Sequence, residues 1–209
     1  MNNGPLIFFG IFLSLALSWL CLVVANNATA DFGGLGPHLD EATGMTVPGQ
    51  MPGLARQGQR VYQDLGCVAC HTQQVRREGF GADIERKWGN RQSVARDYIH
   101  QSRVMVGSLR IGPDLTNVGD RIPLAEWHHQ HLFDPQVNTP GSIMPSHAFL
   151  YEIREAKGTP SPNRVPVRGE NAPPDGYEVV SSLRTRALVA YLLSLKTPYD
   201  LPEAGSSHE

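Results

Sequence analysis

Five consecutive residues, Cys67-Val68-Ala69-Cys70-His71, hold the densest chemistry in the chain. Two thiols three positions apart stand about one helical turn from each other, and a histidine follows at once. This C-x-x-C-H spacing is the attachment signature of a c-type haem. Two thiols so placed reach the two vinyl groups on one edge of a porphyrin, and the adjacent imidazole turns to the iron. One turn of chain then supplies both the covalent anchor and the proximal ligand. Other uses of a C-x-x-C pair are a thioredoxin-like redox site or half of a zinc site. No cysteine follows Cys70, and no strand-C-x-x-C-helix pattern surrounds it, so one covalent haem c is the expected cofactor.

The iron has a second axial position to fill. Met45 and Met51 precede the motif in a Gly/Pro-rich stretch, and Met105 comes before Gly112-Pro113-Asp114-Leu115. Met144 stands in Ser142-Ile143-Met144-Pro145, where Pro140, Gly141 and Pro145 hold a loop rigid without regular structure. Met144 is taken as the distal ligand, with His147 the second candidate. Met/His ligation closes both axial positions, which suits an electron carrier and not an oxygen-binding or peroxidase site. His128, His129 and His131 also crowd one stretch, and His128 and His131 share a helix face. No carboxylate or cysteine at ligand spacing completes a metal set, so hydrogen bonding or contact with haem propionates and partner chains is expected of them. No nucleophile-base pair marks a catalytic centre of the chain's own.

These residues need elements to hold them. Gly58, Val61, Tyr62 and Leu65 fall at i, i+3, i+4 and i+7, one stripe of a helix ending at Gly66. Leu188, Tyr191, Leu192 and Leu195 repeat the spacing in a second helix stopped by Pro198. Each is amphipathic and needs a partner for its apolar face. Of 209 residues, 21 are Gly and 16 Pro, so much of the chain must be loop. A net charge of -2 gives no reason to expect nucleic-acid binding. It averages a basic part, with 11 Lys/Arg against 7 Asp/Glu in residues 56–121, and acidic flanks with 7 against 13. Either a face for an anionic partner or solvated surface accounts for that asymmetry.

From Pro5 to Ala25 the only polar residues are Ser14 and Ser18. As a helix these residues cover roughly 31 Å, close to the thickness of a hydrocarbon core. A retained single-pass anchor is expected. A secretory signal cleaved after Ala28-Thr29-Ala30 is the rival, weakened by a start, Met-Asn-Asn-Gly, that lacks positive charge. Cys21 is an apolar filler of the span. Lysine and arginine are absent before Arg56, so charge does not orient it.

The helix-motif-helix order resembles class I cytochromes c, in which the two helices cross and a Pro carbonyl, here that of Pro113, accepts the proximal histidine's hydrogen bond. A longer series resembles one family within that fold. It comprises a single N-terminal span, G-x-x-x-Y before G-C-x-x-C-H, Gln73-Gln74, and E-R-x-x-G from Glu85. Ser93-Val94-Ala95, G-S-x-R-x-G-P-D-L from Gly107 to Leu115, W-H-x-x-H-L from Trp127 to Leu132 and S-I-M-P ending at Pro145 complete it. The chain is similar to the membrane-anchored monohaem subunit II (CcoO/FixO type) of cbb3-type cytochrome c oxidases. It departs at Gln101-Ser102-Arg103-Val104-Met105, where the family usually has an aromatic, Pro-containing stretch.

The resemblance implies a mainly α class I cytochrome c domain with loop insertions plus one N-terminal transmembrane helix. The expected division is an anchor at 1–30, a Gly/Pro-rich tether at 31–55 and a haem domain at 56–209, with 154–181 a Pro-broken surface excursion. Cys67 and Cys70 would hold the haem, His71 and Met144 ligate its iron, and Pro113 support His71. The expected partners are a catalytic haem-copper oxidase subunit and, as donor, a dihaem cytochrome c subunit or a soluble cytochrome c. The expected location is the bacterial inner membrane, with the haem domain in the periplasm. The anchored cytochrome c of a nitric oxide reductase, or a soluble periplasmic cytochrome c, are the alternatives.

Overall fold

The computed structural model of the protein describes residues 3–24, 35–41 and 43–205. The Ala28-Thr29-Ala30 sequence lies outside them. Helix α1 (Gly4–Trp19) continues through a wider turn, Leu20–Val24, giving 21 helical residues with none buried. It is long and apolar enough to cross a membrane. Ser14 returns its hydroxyl to the Ile11 carbonyl at 2.9 Å, so it leaves no unsatisfied donor in lipid.

Two helices form the frame of the domain. α2 (Gly53–Asp64) buries Ala55, Gly58, Val61 and Tyr62, and ends where Gly66 takes the left-handed conformation at φ 71°. α6 (Leu183–Ser194) begins at Ser182, whose hydroxyl accepts the Thr185 N–H at 3.1 Å, and buries Ala187, Leu188, Tyr191 and Leu192. The two cross at Gly58, which lies so close to the Ala187 backbone that no larger residue fits. Beyond that point Tyr62 packs on Tyr191 with ring centroids 5.3 Å apart. Each fully buried side chain of this size contributes roughly 1.5–3 kcal/mol. The crossing is therefore the main apolar seam of the domain, and Leu188, Leu192 and Leu195 extend it.

Short helices α3 (Val118–Arg121), α4 (Ala125–Phe133) and α5 (Pro135–Asn138) complete the helical part. The Gly119 N–H donates to the Leu195 carbonyl at 3.1 Å, fixing α3 to the end of α6. The Asn117 side chain ties three segments: its Oδ1 accepts from the Thr197 N–H at 2.7 Å and its Nδ2 donates to the Trp88 carbonyl at 2.9 Å.

Two expectations are corrected. Residues 154–181, read as a Pro-broken surface excursion, supply most of a three-stranded antiparallel sheet of β3 (Tyr151–Glu155), β4 (Arg164–Val165) and β5 (Tyr177–Ser181), ordered β3-β5-β4. Val165 and Val179 pair across it and are buried in the core. The five prolines all lie in the connections, where no ladder N–H is needed. The expected tether at 31–55 is likewise not free over its described residues from 35 onward. β1 (His38–Asp40) and β2 (Met45–Val47) form a hairpin, and Val47 packs on Leu201 and Ala204. Arg96 binds both the Gly36 carbonyl and Glu203, closing that corner, and α2 begins at Gly53, ahead of residue 56.

The stretch after His71 has little regular structure beyond a short 3₁₀ turn, Ala95–Tyr98. Buried carboxylates hold it. Asp83 accepts from Arg76 at 2.8 Å and Arg110 at 2.5 Å, and Asp97 pairs with Arg91 at 2.8 Å. Burial alone would raise the Asp83 pKa, but two guanidiniums and the Arg76 N–H outweigh it and hold the carboxyl below the usual range.

Candidate haem site

The C-x-x-C-H turn is fixed from both sides. Gly66 sets the entry, Cys67–Ala69 form a 3₁₀ turn, and the His71 N–H donates to the Cys67 carbonyl at 3.0 Å. The returning segment then closes on it: Gly112 N–H donates to the Cys70 carbonyl at 3.0 Å, and Leu115 N–H to the Thr72 carbonyl at 2.8 Å. Asp114, fully buried, locks the register by accepting from the Thr72 hydroxyl at 2.6 Å and the Gln74 N–H at 2.8 Å.

This clamp places Pro113 under His71. Nδ1 of His71 lies 2.8 Å from the Pro113 carbonyl. A carbonyl can only accept, so the proton sits on Nδ1 and the Nε2 lone pair is left for a ligand. Burial lowers the His71 pKa, which keeps the imidazole neutral as a metal ligand must be. A Cβ on Gly112 would come within 2.3 Å of Cε1 of His71, so glycine there is what lets the ring lie flat against the chain.

His71 and Cys67 look into one slot. Its walls are Tyr62 from α2, Leu188 and Leu192 from α6, Leu115 and Val118, and Ile122, Trp127 and Leu132 around α4. Met144 and Pro113 line the same slot. Met105 is buried in the core cluster instead, and neither it nor His147 reaches the lining. Cys70 sits half-buried on the turn and is also not part of the lining.

Three polar atoms of the slot are unexpected. Tyr62 Oη, Arg121 Nε and His131 Nδ1 are buried without a hydrogen-bond partner. Native proteins leave few such groups, because each costs roughly 1–3 kcal/mol. Burial also raises the Cys67 thiol to about 11, the opposite of the activated thiolate of a dithiol redox site. An apolar slot with a thiol at one end, an imidazole and a thioether on its walls, and donors left for carboxylates fits a haem. Sequence reading missed Tyr62 and Arg121 as slot donors, since nothing local marks a buried donor as unpaired.

The histidines of α4 divide. Nε2 of His128 donates to the Ile122 carbonyl at 2.8 Å, and His129 meets the Tyr151 hydroxyl at 3.1 Å. His131 stacks on Trp127, centroids 4.7 Å apart. Burial and neighbouring cations lower His129 to about 4. The unfolded chain, with a histidine pKa near 6.5, binds this proton first, so stability contributed by neutral His129 is complete above about 6.5 and is lost as pH falls toward 4. We expect urea midpoints to fall across that window by up to about 3 kcal/mol of folding free energy. Burial lowers His131 to about 4 as well, so His129→Gln should reduce the dependence between pH 6.5 and 4 without abolishing it; an unchanged slope would contradict the assignment.

The profile of the family described as cytochrome c oxidase, mono-heme subunit/FixO, matches residues 42–167, more than half of the chain. The matched stretch takes in the C-x-x-C-H turn, Pro113 and Met144, and leaves out α1 and α6. No curated protein matches the chain. The clamp under His71, the slot it opens on and this match agree, and the chain belongs to the FixO family of mono-haem cytochrome c oxidase subunits.

Proposed function

We propose that this chain is the electron-transfer subunit of a cbb3-type cytochrome c oxidase. Cys67 and Cys70 would hold one haem c, and His71 and Met144 would be the ligands of its iron. One observation carries the reading: Cys67, His71 and Met144 share a single apolar slot, with His71 already oriented by Pro113. When bound, the haem supplies a one-electron couple. The chain's residues set the conditions for it. The Pro113 carbonyl keeps the proton on Nδ1 of His71, raising the ligand's basicity. The Met144 thioether would favour the reduced metal and raise the potential. Tyr62, Trp127, Leu188 and Leu192 exclude water, while Arg121 Nε and His131 Nδ1 offer donors to the carboxylates.

In this reading α1 anchors the chain in the bacterial inner membrane and the haem domain faces the periplasm, the compartment where c-type haem is attached. The expected donor is a dihaem cytochrome c subunit or a soluble cytochrome c, and the expected acceptor is haem b of the catalytic haem-copper subunit. The test is on Met144. Met144→Ala should abolish the weak long-wavelength charge-transfer band of Met-ligated ferric haem, while Met105→Leu leaves it. A band that survives Met144→Ala would contradict the ligand assignment.

A further inference from the structure

A second stripe on α2 is used by nothing described so far. Arg56, Gln59, Arg60 and Gln63 fall at i, i+3, i+4 and i+7, on a different face from the one packed on α6. They line a hollow of about 750 Å³, shared with the 98–103 loop and the segment after α6. Among the described residues, Arg56, Arg60 and Arg103 have no ion-pair partner. Asp97 is the one carboxylate lining the hollow, and Arg91 already holds it through two nitrogens. Arg56 and Arg60, like charges at i, i+4, repel each other by roughly 0.2–0.5 kcal/mol.

Two lining residues also carry buried polar atoms without a hydrogen-bond partner in the geometry, Gln59 Nε2 and Thr116 Oγ1. The hollow is therefore lined by arginines that no carboxylate neutralises, beside polar Gln, Ser and Thr side chains. Besides the arginines, the hollow presents Gln and Ser side chains that both donate and accept hydrogen bonds. That mixture suits a polypeptide, whose backbone alternates N–H and C=O, with acidic side chains set against the arginines.

We propose that this hollow receives an acidic polypeptide segment of a partner subunit in the oxidase complex. The proposal rests on the complex membership argued above. It gives the basic character of residues 56–121 a specific location, on the α2 face turned away from the haem slot.

The experiment uses the intact membrane complex, recovered through a tag on this chain, with a photo-crosslinking residue placed at Gln63. The expected adduct, mapped by mass spectrometry, is to a stretch of a partner subunit rich in Asp and Glu. An adduct to lipid, one confined to this chain, or none would overturn the proposal. In parallel, Arg56→Glu with Arg60→Glu and Arg103→Glu should lower recovery of the partner chain about tenfold or more, at unchanged haem content. Unchanged recovery would equally overturn it, and if the triple variant loses haem the Gln63 adduct decides. Failure of the tagged wild-type chain to bring down a haem-copper subunit is a distinct result, which contradicts the proposed function itself.

Discussion

Gly58→Ala should lower the folding free energy by about 3 kcal/mol or more, at the upper end of what overpacking a core position produces. The added Cβ would stand 1.8 Å from the Ala187 carbonyl oxygen, 2.4 Å from its carbon and 2.8 Å from Cβ of Tyr191. Two of the three are backbone atoms inside α6, so no side chain can rotate out of the way. The helices must separate, and the Tyr62–Tyr191 contact is lost with the seam. Against a typical total of about 5–15 kcal/mol, a loss of this size leaves a marginal domain. The same two helices supply Tyr62, Leu188 and Leu192 to the slot, so haem retention should fall with stability. Gly53→Ala, at the start of the same helix with nothing within 4 Å, is the control and should be neutral or slightly stabilising. Urea unfolding of both variants checks the pair; equal midpoints would contradict the crossing geometry.

The second large effect is on the cofactor. With both Cys67→Ala and Cys70→Ala, no thioether can form, and the denatured chain should carry no haem stain. Either single variant leaves one linkage and should keep a weakened stain. The effect is separable from packing. Cys67 is only half-buried beside the core, so its truncation leaves a small cavity costing on the order of 1 kcal/mol. A domain that stays folded without covalently attached haem is therefore the expected outcome for the double variant. Undiminished covalent haem would contradict the attachment sites.

Much of this arrangement was legible in the sequence because it rests on local periodicity or short spacing. α1, α2 and α6 each announce themselves through an apolar run or an i, i+3, i+4, i+7 stripe. The C-x-x-C-H turn is contiguous, and its reading needs no long-range information. What was not legible depends on residues far apart in the chain. Asp83 and Arg110 meet across 27 positions, and Thr72 and Asp114 across 42, with no pattern that pairs them beforehand.

The sheet at 151–181 was hidden for a different reason. Averaged over 154–181, five prolines outweigh the valines, yet none of them falls inside a strand. β5 also lacks alternation, since four of its five residues are buried between two neighbouring strands and the domain. Composition of a window cannot separate a Pro-rich connection from the strands it joins. The hairpin at 38–47 was missed likewise, because Gly and Pro suggested a tether and the partner that orders it, Leu201 and Ala204, lies at the far end of the chain.

Everything proposed for the site depends on Cys67 and Cys70 carrying one haem c. The pyridine haemochrome spectrum of the wild-type chain, purified from cells that attach c-type haem, tests it most directly. The expected α-band position is that of a haem with both vinyl groups converted to thioethers, at one haem per chain. A band at the position of haem with free vinyl groups, or no haem at all, would contradict it.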